Sequence, residues 1–573
     1  MKITDATKYE LLLMNVERIP SHMFDNLGQH SIASYLETKG FKAMVYSGTT
    51  GDCEEIISGA IEKDSVPVIG FYTATDNLSV VKHLIEWIKK TYNVYTIAGG
   101  PEAVALKEDF LRETGCDFVI EGEGEIPEYQ LLSCIIDNIL PLEQVQSLRY
   151  IDKNNIYHEN PLAKPFCNLD EIPFPSRKRC IGSDFRNKID FGIITGRGCP
   201  FRCAFCYEGA NTKKVRLRSI ENVISEIDFA ISENHKLKYL NIYDDTFTLD
   251  FRRVEAFCKE VKKRKLFWYC EGHTSNIAKN PEMVKIMVDS GMIGLQIGIE
   301  SGSNTVLEAY NKKTDRDMIL EVVNICKNAG LPRLVGNFIV GGAYETEESI
   351  SESMKLAEQM LEAGQGMFEC KTVFLAPYPH TPITLNPADY NLEYSGVDEN
   401  TCIYSMQMPL MKPESMEYEK LISFKKTFDE MLKEKIRMLS RNAVKADVER
   451  IFFKAGERLN ISSLWKDYYL KQEHIVNYIE RIISIYRHGN NDYTDDELLE
   501  LYPVRTFSLL EYKNGLLTYG SYIFSECESF LLKYSAGKIK FRDIIMMSEN
   551  NKQDLLASYR SLNNRCLIYA SRF

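Results

Sequence analysis

Three cysteines stand close together in the middle of the chain and have the spacing of iron ligands. Cys199, Cys203 and Cys206 follow a short apolar run, residues 191–195, that predicts a buried strand. Their spacing puts three thiols on one compact loop, whereas a four-iron cluster normally takes four thiolates. No fourth cysteine lies near them in the sequence. The pattern therefore predicts a cluster in which one iron stays open for another molecule.

A structural zinc site and three unrelated buried cysteines are the alternative interpretations. Structural zinc sites usually take four protein ligands, often from paired C-x2-C motifs. The chain has 15 cysteines in 573 residues, so a chance grouping is also to be weighed. The preceding strand and the glycine and aromatic residues around the three cysteines favour the cluster over both.

The stretch from Cys199 to Cys206 resembles the signature of the radical S-adenosylmethionine (SAM) enzymes. In that family the open iron binds the amino and carboxylate groups of SAM. The resemblance implies that Phe205 lies against the adenine, and it extends to further motifs in family order between residues 216 and 382. These motifs imply SAM contacts at or near four strand-end residues, Glu300, Ser301, Asn337 and Gly341. One departure is His380, where the family usually has glycine.

Upstream, short β-like runs alternate with amphipathic helical stretches, such as residues 77–90 and 102–113, as far as about residue 140. This alternation predicts a parallel, doubly wound sheet of Rossmann-like, flavodoxin-like type, with ligand sites at the carboxyl ends of its strands. The expected strand ends carry four glycines that let the backbone approach a ligand closely, Gly99, Gly100, Gly122 and Gly124, and Glu123 lies between the last two.

The same half resembles the cobalamin (B12)-binding domain that precedes many radical SAM domains. The matching pieces include residues 98–101 and 119–125, and the resemblance implies that the strand-end residues contact cobalamin. The D-x-H-x-x-G motif, which supplies a cobalt ligand in cobalamin mutases, is missing. Cobalamin binding and a cofactor-free domain therefore both stay open, and His30 is expected to be a helix-start residue rather than a metal ligand.

From 191 to about 390 six strand–helix units predict a partial (β/α)6 TIM barrel, whose active site lies at the C-terminal strand ends. Asp244 and Asp245 end one of these strands and suit a structural or a functional role equally. Beyond 400 the pattern is mostly helical, with one helix expected over 443–459, and residues 507–519 predict a hairpin with an Asn-Gly turn at 514–515. The last part of the chain is similar to the small winged-helix domains that hold leader peptides, or it only packs on the rest. We expect domains at 1–145 (B12-binding-like), 146–185 (hairpin and Pro-rich linker), 186–395 (barrel) and 396–573 (helical, with a winged-helix-like end at about 505–550).

Composition limits the possible partners. The net charge is −12 and no basic stripe is present, which argues against binding to nucleic acid. The N-terminus lacks the apolar core of a signal peptide, and no run of about 18 apolar residues predicts a membrane span. Scattered cysteines and an oxygen-sensitive cluster both fit a reducing cytoplasm.

The resemblance implies that a 4Fe-4S cluster, SAM and cobalamin act together in a methyltransferase. Its expected substrate is an unactivated carbon of a peptide or another natural product, and its electron donor a flavodoxin or ferredoxin. The first alternative is a radical SAM enzyme without cobalamin that rearranges a ring or forms a C–C or C–S bond, for example in peptide maturation. The second is a non-catalytic iron–sulfur sensor. The sequence names no substrate.

Overall fold

The computed structural model describes most of the chain. The described residues are 9–17, 26–74, 76–177, 180–181, 185–212, 214–394, 408–441, 464–469, 472, 475, 478, 493–505, 511–513, 516–519, 522–565 and 567–571. The chain forms two compact units, one of residues 1–364 and 370–432 and the other of residues 365–369 and 433–573. The first unit contains both predicted α/β domains.

The N-terminal sheet is doubly wound, as predicted. Its strands are β1 (Leu11–Glu17), β2 (Ala43–Thr49), β3 (Val68–Tyr72), β4 (Tyr95–Gly99), β5 (Phe118–Ile120), β6 (Leu148–Ile151), β7 (Tyr157–Glu159) and β8 (Cys180–Ile181). Among the described residues the strand order is β7-β6-β5-β4-β3-β1-β2-β8. The strands β1 to β5 pair in parallel, and the chain reverses its winding between β1 and β3. A reversal of this kind opens a crevice for a ligand at the carboxyl ends of the strands.

Helices cover both faces of this sheet because its central strands are almost wholly apolar. The helices are α1 (Leu27–Thr38), α2 (Cys53–Glu62), α3 (Leu78–Thr91), α4 (Pro101–Leu106), α5 (Glu108–Thr114) and α6 (Glu125–Ile135). Buried apolar side chains form one core cluster on each face of the sheet. The sequence predicts one helix over 102–113, but the structure has two, because Lys107 with φ +48° interrupts the helical backbone.

The predicted hairpin at 146–161 is present and joins the same sheet. Strand β6 pairs antiparallel with β5 and with β7. The Asp152 carboxylate accepts hydrogen bonds from the backbone N–H groups of Asn154 and Ile156, both at 2.9 Å. These bonds close the turn in the manner typical of aspartate in loops. Strand β8 pairs with β2 at the other edge, so parts of the segment 146–185 extend the N-terminal sheet.

The second large sheet is the predicted partial barrel. Its strands are β9 (Asp190–Ile193), β12 (Tyr239–Ile242), β13 (Phe267–Gly272), β14 (Met292–Glu300), β15 (Arg333–Val340) and β16 (Phe368–Phe374), and a short ladder of β10 (Gly196–Arg197) and β11 (Arg216–Leu217) lies between β9 and β12 in sequence. In the described chain the order is β16-β15-β14-β13-β12-β9, and the pairs from β9 to β15 are parallel. The polar residues at the strand ends therefore meet at one edge.

The helices of this region follow the strands in the expected alternation. They are α7 (Tyr207–Asn211), α8 (Ile220–Glu233), α9 (Phe251–Val261), α10 (Thr274–Lys279), α11 (Glu282–Asp289), α12 (Asn304–Ala309), α13 (Arg316–Asn328), α14 (Glu347–Ala363), α15 (Pro382–Leu385) and α16 (Tyr418–Ser440). A small antiparallel pair, β17 (Leu392–Tyr394) and β18 (Met411–Pro413), precedes α16.

The second unit contains sheet as well as helix. Its described elements after α16 are α17 (Leu464–Tyr469), α18 (Asp495–Leu499), β19 (Tyr502–Arg505), β20 (Glu511–Lys513), β21 (Leu516–Tyr519), β22 (Tyr522–Ile523), α19 (Glu526–Tyr534), α20 (Phe541–Met546), α21 (Lys552–Asn564) and β23 (Ile568–Ser571). Strands β20 and β21 pair antiparallel around residues 514–515, as the sequence predicts, although the turn itself lies outside the described residues. The predicted helix over 443–459 also lies outside them, and the winged-helix-like end stays a prediction.

Within the parts of the chain given above, no helix has both the length and the apolar character that crossing a bilayer requires.

Candidate active site

The three predicted iron ligands lie on one loop at the carboxyl end of β9. We call residues 195–207, which include the short strand β10, the cysteine loop. Cys203 is buried, Cys199 and Cys206 are half-buried, and all three are free thiols. Burial raises the pKa of the Cys203 thiol to about 11, and the charges of Cys199 and Cys206 add to that effect because the three sulfurs lie near one another.

Two neighbouring aspartates hold the start of the cysteine loop. The backbone N–H groups of Thr195 and Gly196 donate to Asp244, at 2.5 and 3.2 Å, and Gly198 N donates to Asp245 at 3.2 Å. Asp244 is fully enclosed, and this burial raises its pKa to about 6 although the hydrogen bonds counteract the shift. The structure therefore gives both carboxylates a structural contact with the loop.

The far side of the cysteine loop is attached to the barrel through backbone hydrogen bonds. Ala204 N donates to Tyr310 O at 2.9 Å, and Ile383 N donates to Ala204 O at 3.3 Å. The Phe205 ring packs edge-on against Tyr310, with centroids 4.9 Å apart. The loop is thus fixed on both sides before any cofactor is considered.

These residues fit a four-iron cluster better than a single metal ion. Among the described residues no three His, Cys, Asp or Glu side chains converge on one ion. A cluster is wider than one ion and takes its thiolates at separate corners, so three free thiols on one loop suit it. The zinc interpretation would require four ligands converging on one point.

A buried ion pair beside Cys203 was not foreseen from the sequence. Lys312 Nζ lies 2.8 Å from Glu300 Oε1, with side chains only 8% and 9% exposed. The same ammonium lies 6.0 Å from the centroid of the Phe205 ring. Burial alone would lower the pKa of Lys312, but the charges of Glu300 and Cys203 outweigh burial and raise it. The cysteine loop therefore faces a fixed positive charge.

The other sequence-predicted SAM contacts gather at the ends of β14 and β15. Glu300 has φ +65°, an uncommon backbone conformation for a non-glycine residue. The Ser301 hydroxyl is buried and accepts from Ser303 N at 3.1 Å. Asn337 lies on β15 opposite Gly298 on β14. Gly341 has φ +86°, and its N–H donates to the buried carboxylate of Glu345.

Burial raises the pKa of Glu345 to about 7. Its Oε2 also accepts from Gly342 N at 3.1 Å. Glu345 therefore fixes the turn after β15, so that the backbone of this turn has a defined course at the edge of the barrel.

A histidine at the end of β13 stacks on the cysteine loop. The rings of His273 and Phe201 are 3.6 Å apart and nearly parallel, at 9°. The His273 Nδ1 lies 2.8 Å from Ser275 Oγ, while its Nε2 is buried without a hydrogen-bond partner among the described residues. Burial lowers the pKa of His273 to about 3, so the ring is neutral.

The predicted cobalamin contacts lie at the carboxyl edge of the N-terminal sheet. Gly100 has φ +95°, and a Cβ there would collide with the backbone oxygen of Thr73. Thr73 in turn donates to Gly99 O at 2.7 Å, which fastens the turn after β4. Gly122 has φ +90° and nothing within 4 Å of the position of a Cβ.

A large ligand fits at this edge of the N-terminal sheet. The backbone is closely packed at Gly100, and next to it the space around Gly122 is open. His30 lies in the first turn of α1, as expected, and has the environment of a structural residue rather than of a cobalt ligand. It is buried, and its Nδ1 lies 3.1 Å from Ser176 O.

The turn between β5 and α6 of the N-terminal domain contacts the barrel domain through hydrogen bonds between side chains. We call residues 122–125 the glycine loop. Arg197, two residues before Cys199, donates to Glu123 Oε2 at 2.9 Å and to Glu125 Oε1 at 2.6 Å. Arg216 donates to both oxygens of Glu123. The predicted cofactor residue Glu123 is therefore engaged by two arginines of the barrel.

Three tyrosines lie near one another where these edges meet. They are Tyr72 at the end of β3, Tyr207 in the cysteine loop and Tyr378 after β16. Tyr72 and Tyr378 are partly exposed, at 37% and 43%, and Tyr207 is half-buried. Partial desolvation raises the pKa of each, and the charges of Asp76, Glu208 and Tyr378 add to this effect at Tyr72. Burial and the charge of Asp245 raise the pKa of Glu208 to about 7. The carboxyl edges of both sheets thus face each other across aromatic and acidic side chains.

The remaining departure from the family pattern has a backbone explanation. His380 is exposed and has φ +61°, in the left-handed region that favours glycine. Glycine at this position of the family motif is therefore the residue that the turn itself prefers.

Some of these functional residues carried a sequence signal and others did not. Arg197 lies between two glycines directly before Cys199, and its charge is opposite to that of the acidic glycine loop. Lys312 follows Glu300 by twelve positions, beyond α12, and no periodic pattern connects the two. A pair of this kind emerges only when the strand end and the helix end are placed in space.

Comparison with family models identifies both α/β domains. The model of the radical SAM superfamily matches residues 193–357, and the model of the B12-binding domain matches residues 22–132. The chain is 30% identical over 334 residues to a protein of Pyrococcus horikoshii named an uncharacterized methyltransferase, covering 57% of this chain and 70% of that protein. It is 22% identical over 414 residues to the anaerobic magnesium-protoporphyrin IX monomethyl ester cyclase of Rubrivivax gelatinosus, covering 68% of this chain and 70% of that protein.

Solved structures with the same fold include a methyltransferase. TsrM of Kitasatospora setae, a radical S-adenosylmethionine methyltransferase solved with tryptophan and a SAM analogue, aligns with a TM-score of 0.61 at 14% identity, over 83% of this chain and 99% of that one. A second structure of TsrM, solved with cobalamin and a 4Fe-4S cluster, aligns with a TM-score of 0.57 at 16% identity, over 73% of this chain and 85% of that one. The fold predicted from the sequence is thereby confirmed.

Proposed function

Since the chain belongs to the radical SAM superfamily and carries a B12-binding domain, we propose that it is a cobalamin-dependent radical SAM methyltransferase. When bound, the cofactors would supply the chemistry: a cluster held by Cys199, Cys203 and Cys206 would provide the electron for reductive cleavage of SAM, and a corrinoid at the edge of the N-terminal sheet would carry the methyl group. The protein contributes binding, orientation and exclusion of water, as in other enzymes whose cofactors do the difficult chemistry.

One observation carries this proposal above a cofactor-free alternative. The cysteine loop and the glycine loop meet, since Arg197 Nη1 lies 2.9 Å from Glu123 Oε2. A cluster held by the cysteine loop and a corrinoid at the edge of the N-terminal sheet would therefore be neighbours. Methyl transfer requires that relation, whereas an enzyme that uses the cluster alone does not.

In this proposal each group near the cysteine loop has a role that follows from its charge. Cys199, Cys203 and Cys206 hold the cluster, and the Phe205 ring supports the adenine. Lys312 provides a fixed ammonium for the carboxylate of SAM, since a buried positive charge attracts an anion strongly where water is excluded. Glu300 keeps Lys312 protonated and in place.

We also propose a general substrate class. TsrM was solved with tryptophan as its substrate, and we propose for this chain a small molecule or peptide with an unactivated or aromatic carbon. The tyrosines Tyr72, Tyr207 and Tyr378 favour a substrate with an apolar face.

A second candidate function rests on the cyclase among the relatives. That protein is named for ring closure, not for methylation, and it aligns over most of this chain. The cluster and SAM, without cobalamin, would then form a carbon–carbon bond with no net methyl transfer. The amount of S-adenosylhomocysteine formed separates the two functions, because only methylation consumes the methyl group of SAM.

The electron donor and the compartment are also proposals. A low-potential flavodoxin or ferredoxin would reduce the cluster, because such proteins reach the potentials that clusters of this type require. The described cysteines are all free thiols, which supports a reducing cytoplasm as the compartment.

Anaerobic reconstitution tests the proposal directly. The chain is loaded with iron, sulfide and hydroxocobalamin, desalted, and then supplied with SAM and a strong reductant. We expect about four iron atoms per chain, a retained corrinoid absorption band and formation of both 5′-deoxyadenosine and S-adenosylhomocysteine. A chain that forms 5′-deoxyadenosine without retaining corrinoid supports the bond-forming alternative. A chain that forms neither product is a sensor, and the proposal is then wrong.

A further inference from the structure

Two arginines from the barrel hold one glutamate from the N-terminal domain. Arg197 on β10 and Arg216 on β11 lie directly opposite each other in a two-residue antiparallel ladder. Both guanidinium groups donate to Glu123, so one carboxylate of the glycine loop bridges the two strands. Arg216 also donates to Phe166 O at 2.9 Å, which attaches the same ladder to the connector between the domains.

Arg197 also binds a second carboxylate of the glycine loop, whereas Arg216 contacts both oxygens of Glu123 in a bidentate manner. Glu125 Oε1 accepts from Arg197 at 2.6 Å and from Ser31 Oγ of α1 at 2.7 Å. The Glu125 side chain is only 4% exposed and that of Arg197 is 21% exposed. Burial by itself would raise the pKa of Glu125, but Arg197 lowers it, so the carboxylate is ionised. We call Arg197, Arg216, Glu123 and Glu125 the junction cluster.

The junction cluster lies between the first cysteine and the edge of the B12-binding sheet. Arg197 is two residues from Cys199, and Glu123 lies between the glycines of the loop that edges the B12-binding sheet. Gly198 between Arg197 and Cys199 has φ +92°, and a Cβ there would lie 2.8 Å from Lys214 O. The backbone from Arg197 to Cys199 is therefore packed, so that a displacement of Arg197 is passed to the first cysteine.

We propose that Arg197 and Arg216 are positioning residues that hold the cysteine loop against the glycine loop and so fix the separation of the two cofactor sites. The part about the cofactor sites rests on the proposed function, while the mechanical part does not. Surface ion pairs contribute little, but charge-assisted, bidentate and largely buried contacts of arginine are the strong and geometrically specific kind. Neither arginine needs to touch SAM, corrinoid or substrate for this role.

The first test uses the full-length protein without cofactors. Hydrogen exchange of backbone amides is followed by mass spectrometry in the wild type, Arg197→Gln and Glu123→Gln. We expect exchange to become about tenfold faster in peptides that contain residues 122–125 and 196–199, because a charge-assisted contact that restrains local opening is weakened. Unchanged exchange in both peptides overturns the inference, whatever the cofactors do.

Arg264→Gln provides a matched control. Arg264 donates to Asp228 and to Glu260 within the barrel and is 19% exposed, close to the exposure of Arg197, but it does not reach the N-terminal domain. Its loss should leave exchange of residues 122–125 and 196–199 as in the wild type. If Arg264→Gln accelerates exchange there as much as Arg197→Gln does, the effect is general and the junction cluster has no special role.

The second test measures the separation itself. In reconstituted protein, pulsed electron paramagnetic resonance between the reduced cluster and cob(II)alamin gives a distance distribution. We expect a wider distribution in Arg197→Gln and Glu123→Gln than in the wild type and Arg264→Gln, with equal iron and corrinoid content. A distribution of unchanged width overturns the positioning role. If wild-type protein retains no corrinoid, the proposed function fails, and the exchange experiment still decides the mechanical part.

Discussion

Lys312 and Glu300 form an ion pair beneath the Phe205 ring, with Nζ 2.8 Å from Oε1 and both side chains almost fully buried. Removal of one partner from such a pair leaves an uncompensated charge in a medium of low polarity. Breaking a buried pair in this way typically costs about 3–5 kcal/mol of stability. The pair is therefore sensitive to single substitutions in a way that exposed lysines are not.

We expect Lys312→Met to lower the free energy of unfolding by about 3–5 kcal/mol and to reduce SAM binding by at least about tenfold, because the fixed ammonium near the cysteine loop is lost. Chemical unfolding and equilibrium binding of SAM to reconstituted protein measure the two effects. Lys313→Met is the control, since Lys313 is the adjacent, exposed lysine.

The double variant Lys312→Met/Glu300→Gln separates folding from binding. Without the lone carboxylate the stability should largely return, while SAM binding stays weak. Restored SAM binding in the double variant would contradict a role for the ammonium in holding SAM.

The middle cysteine gives the most direct test of the cluster. Cys203→Ala removes a thiolate that is buried between Cys199 and Cys206, and we expect reconstituted iron to fall well below about four atoms per chain and 5′-deoxyadenosine formation to stop. Cys326→Ala is the matched control, because Cys326 is equally buried but lies on α13 away from the cysteine loop. Full turnover in Cys203→Ala would show that the cluster has been assigned to the wrong residues.

A buried glutamate in the N-terminal domain predicts how stability depends on pH. Burial raises the pKa of Glu128 from 4.5 to about 8, and its Oε2 has no hydrogen-bond partner among the described residues. The folded chain binds this proton more tightly than the unfolded chain does. Its stabilising contribution is therefore complete below pH 4.5 and is lost as the pH rises towards about 8.

Within that window one such proton changes the free energy of unfolding by up to about 1.4 kcal/mol per pH unit. Glu128→Gln removes this titration. The free energy of unfolding of the variant, relative to that of the wild type, should therefore increase between pH 5 and pH 8 by up to about 1.4 kcal/mol per pH unit. Denaturant unfolding at several pH values measures it, with the exposed Glu143→Gln as control. Parallel curves for the wild type and Glu128→Gln would rule out the buried carboxyl as the source.

Two glycines at the edge of the N-terminal sheet should respond differently to substitution. Gly100→Ala imposes a side chain on a backbone with φ +95° and a collision with Thr73 O, whereas Gly122→Ala meets only the conformational cost because no atom lies within 4 Å. That cost is about 1–2 kcal/mol. We expect Gly100→Ala to lower the free energy of unfolding more than Gly122→Ala does, as measured by chemical unfolding. We also expect Gly100→Ala to retain less corrinoid after desalting, as measured by optical absorption. Equal losses would mean that the turn after β4 is not closely packed.

The fold follows from the sequence because the central strands of both large sheets are mostly apolar and are followed by polar residues at their carboxyl ends. The order of the strand–helix units determines a parallel sheet, and the glycines and carboxylates mark its carboxyl edge. The break at Lys107 escapes such reasoning, since a single residue with positive φ leaves the amphipathic pattern over 102–113 intact. Local periodicity predicts elements well and their interruptions poorly.

The residues of the candidate site likewise fall into those that could be predicted from local sequence and those that could not. The three cysteines are close in sequence, so their common loop is predictable. Lys312 and Glu300, or Arg197 and Glu123, come together only through tertiary packing. Glu123 is one example. A carboxylate between two glycines suggests a contact with a cofactor, but in the structure both oxygens of Glu123 accept hydrogen bonds from arginines of the barrel.

His380 offers a practical route to a more robust protein. His380 is exposed and has φ +61°, in the left-handed region that is unfavourable for residues with a Cβ, and among the described residues no hydrogen bond or ion pair of its side chain offsets that cost. Glycine there should increase thermal tolerance slightly and leave the cysteine loop untouched. Crystallisation trials of this oxygen-sensitive protein would thus start with that one replacement, before any change near the iron.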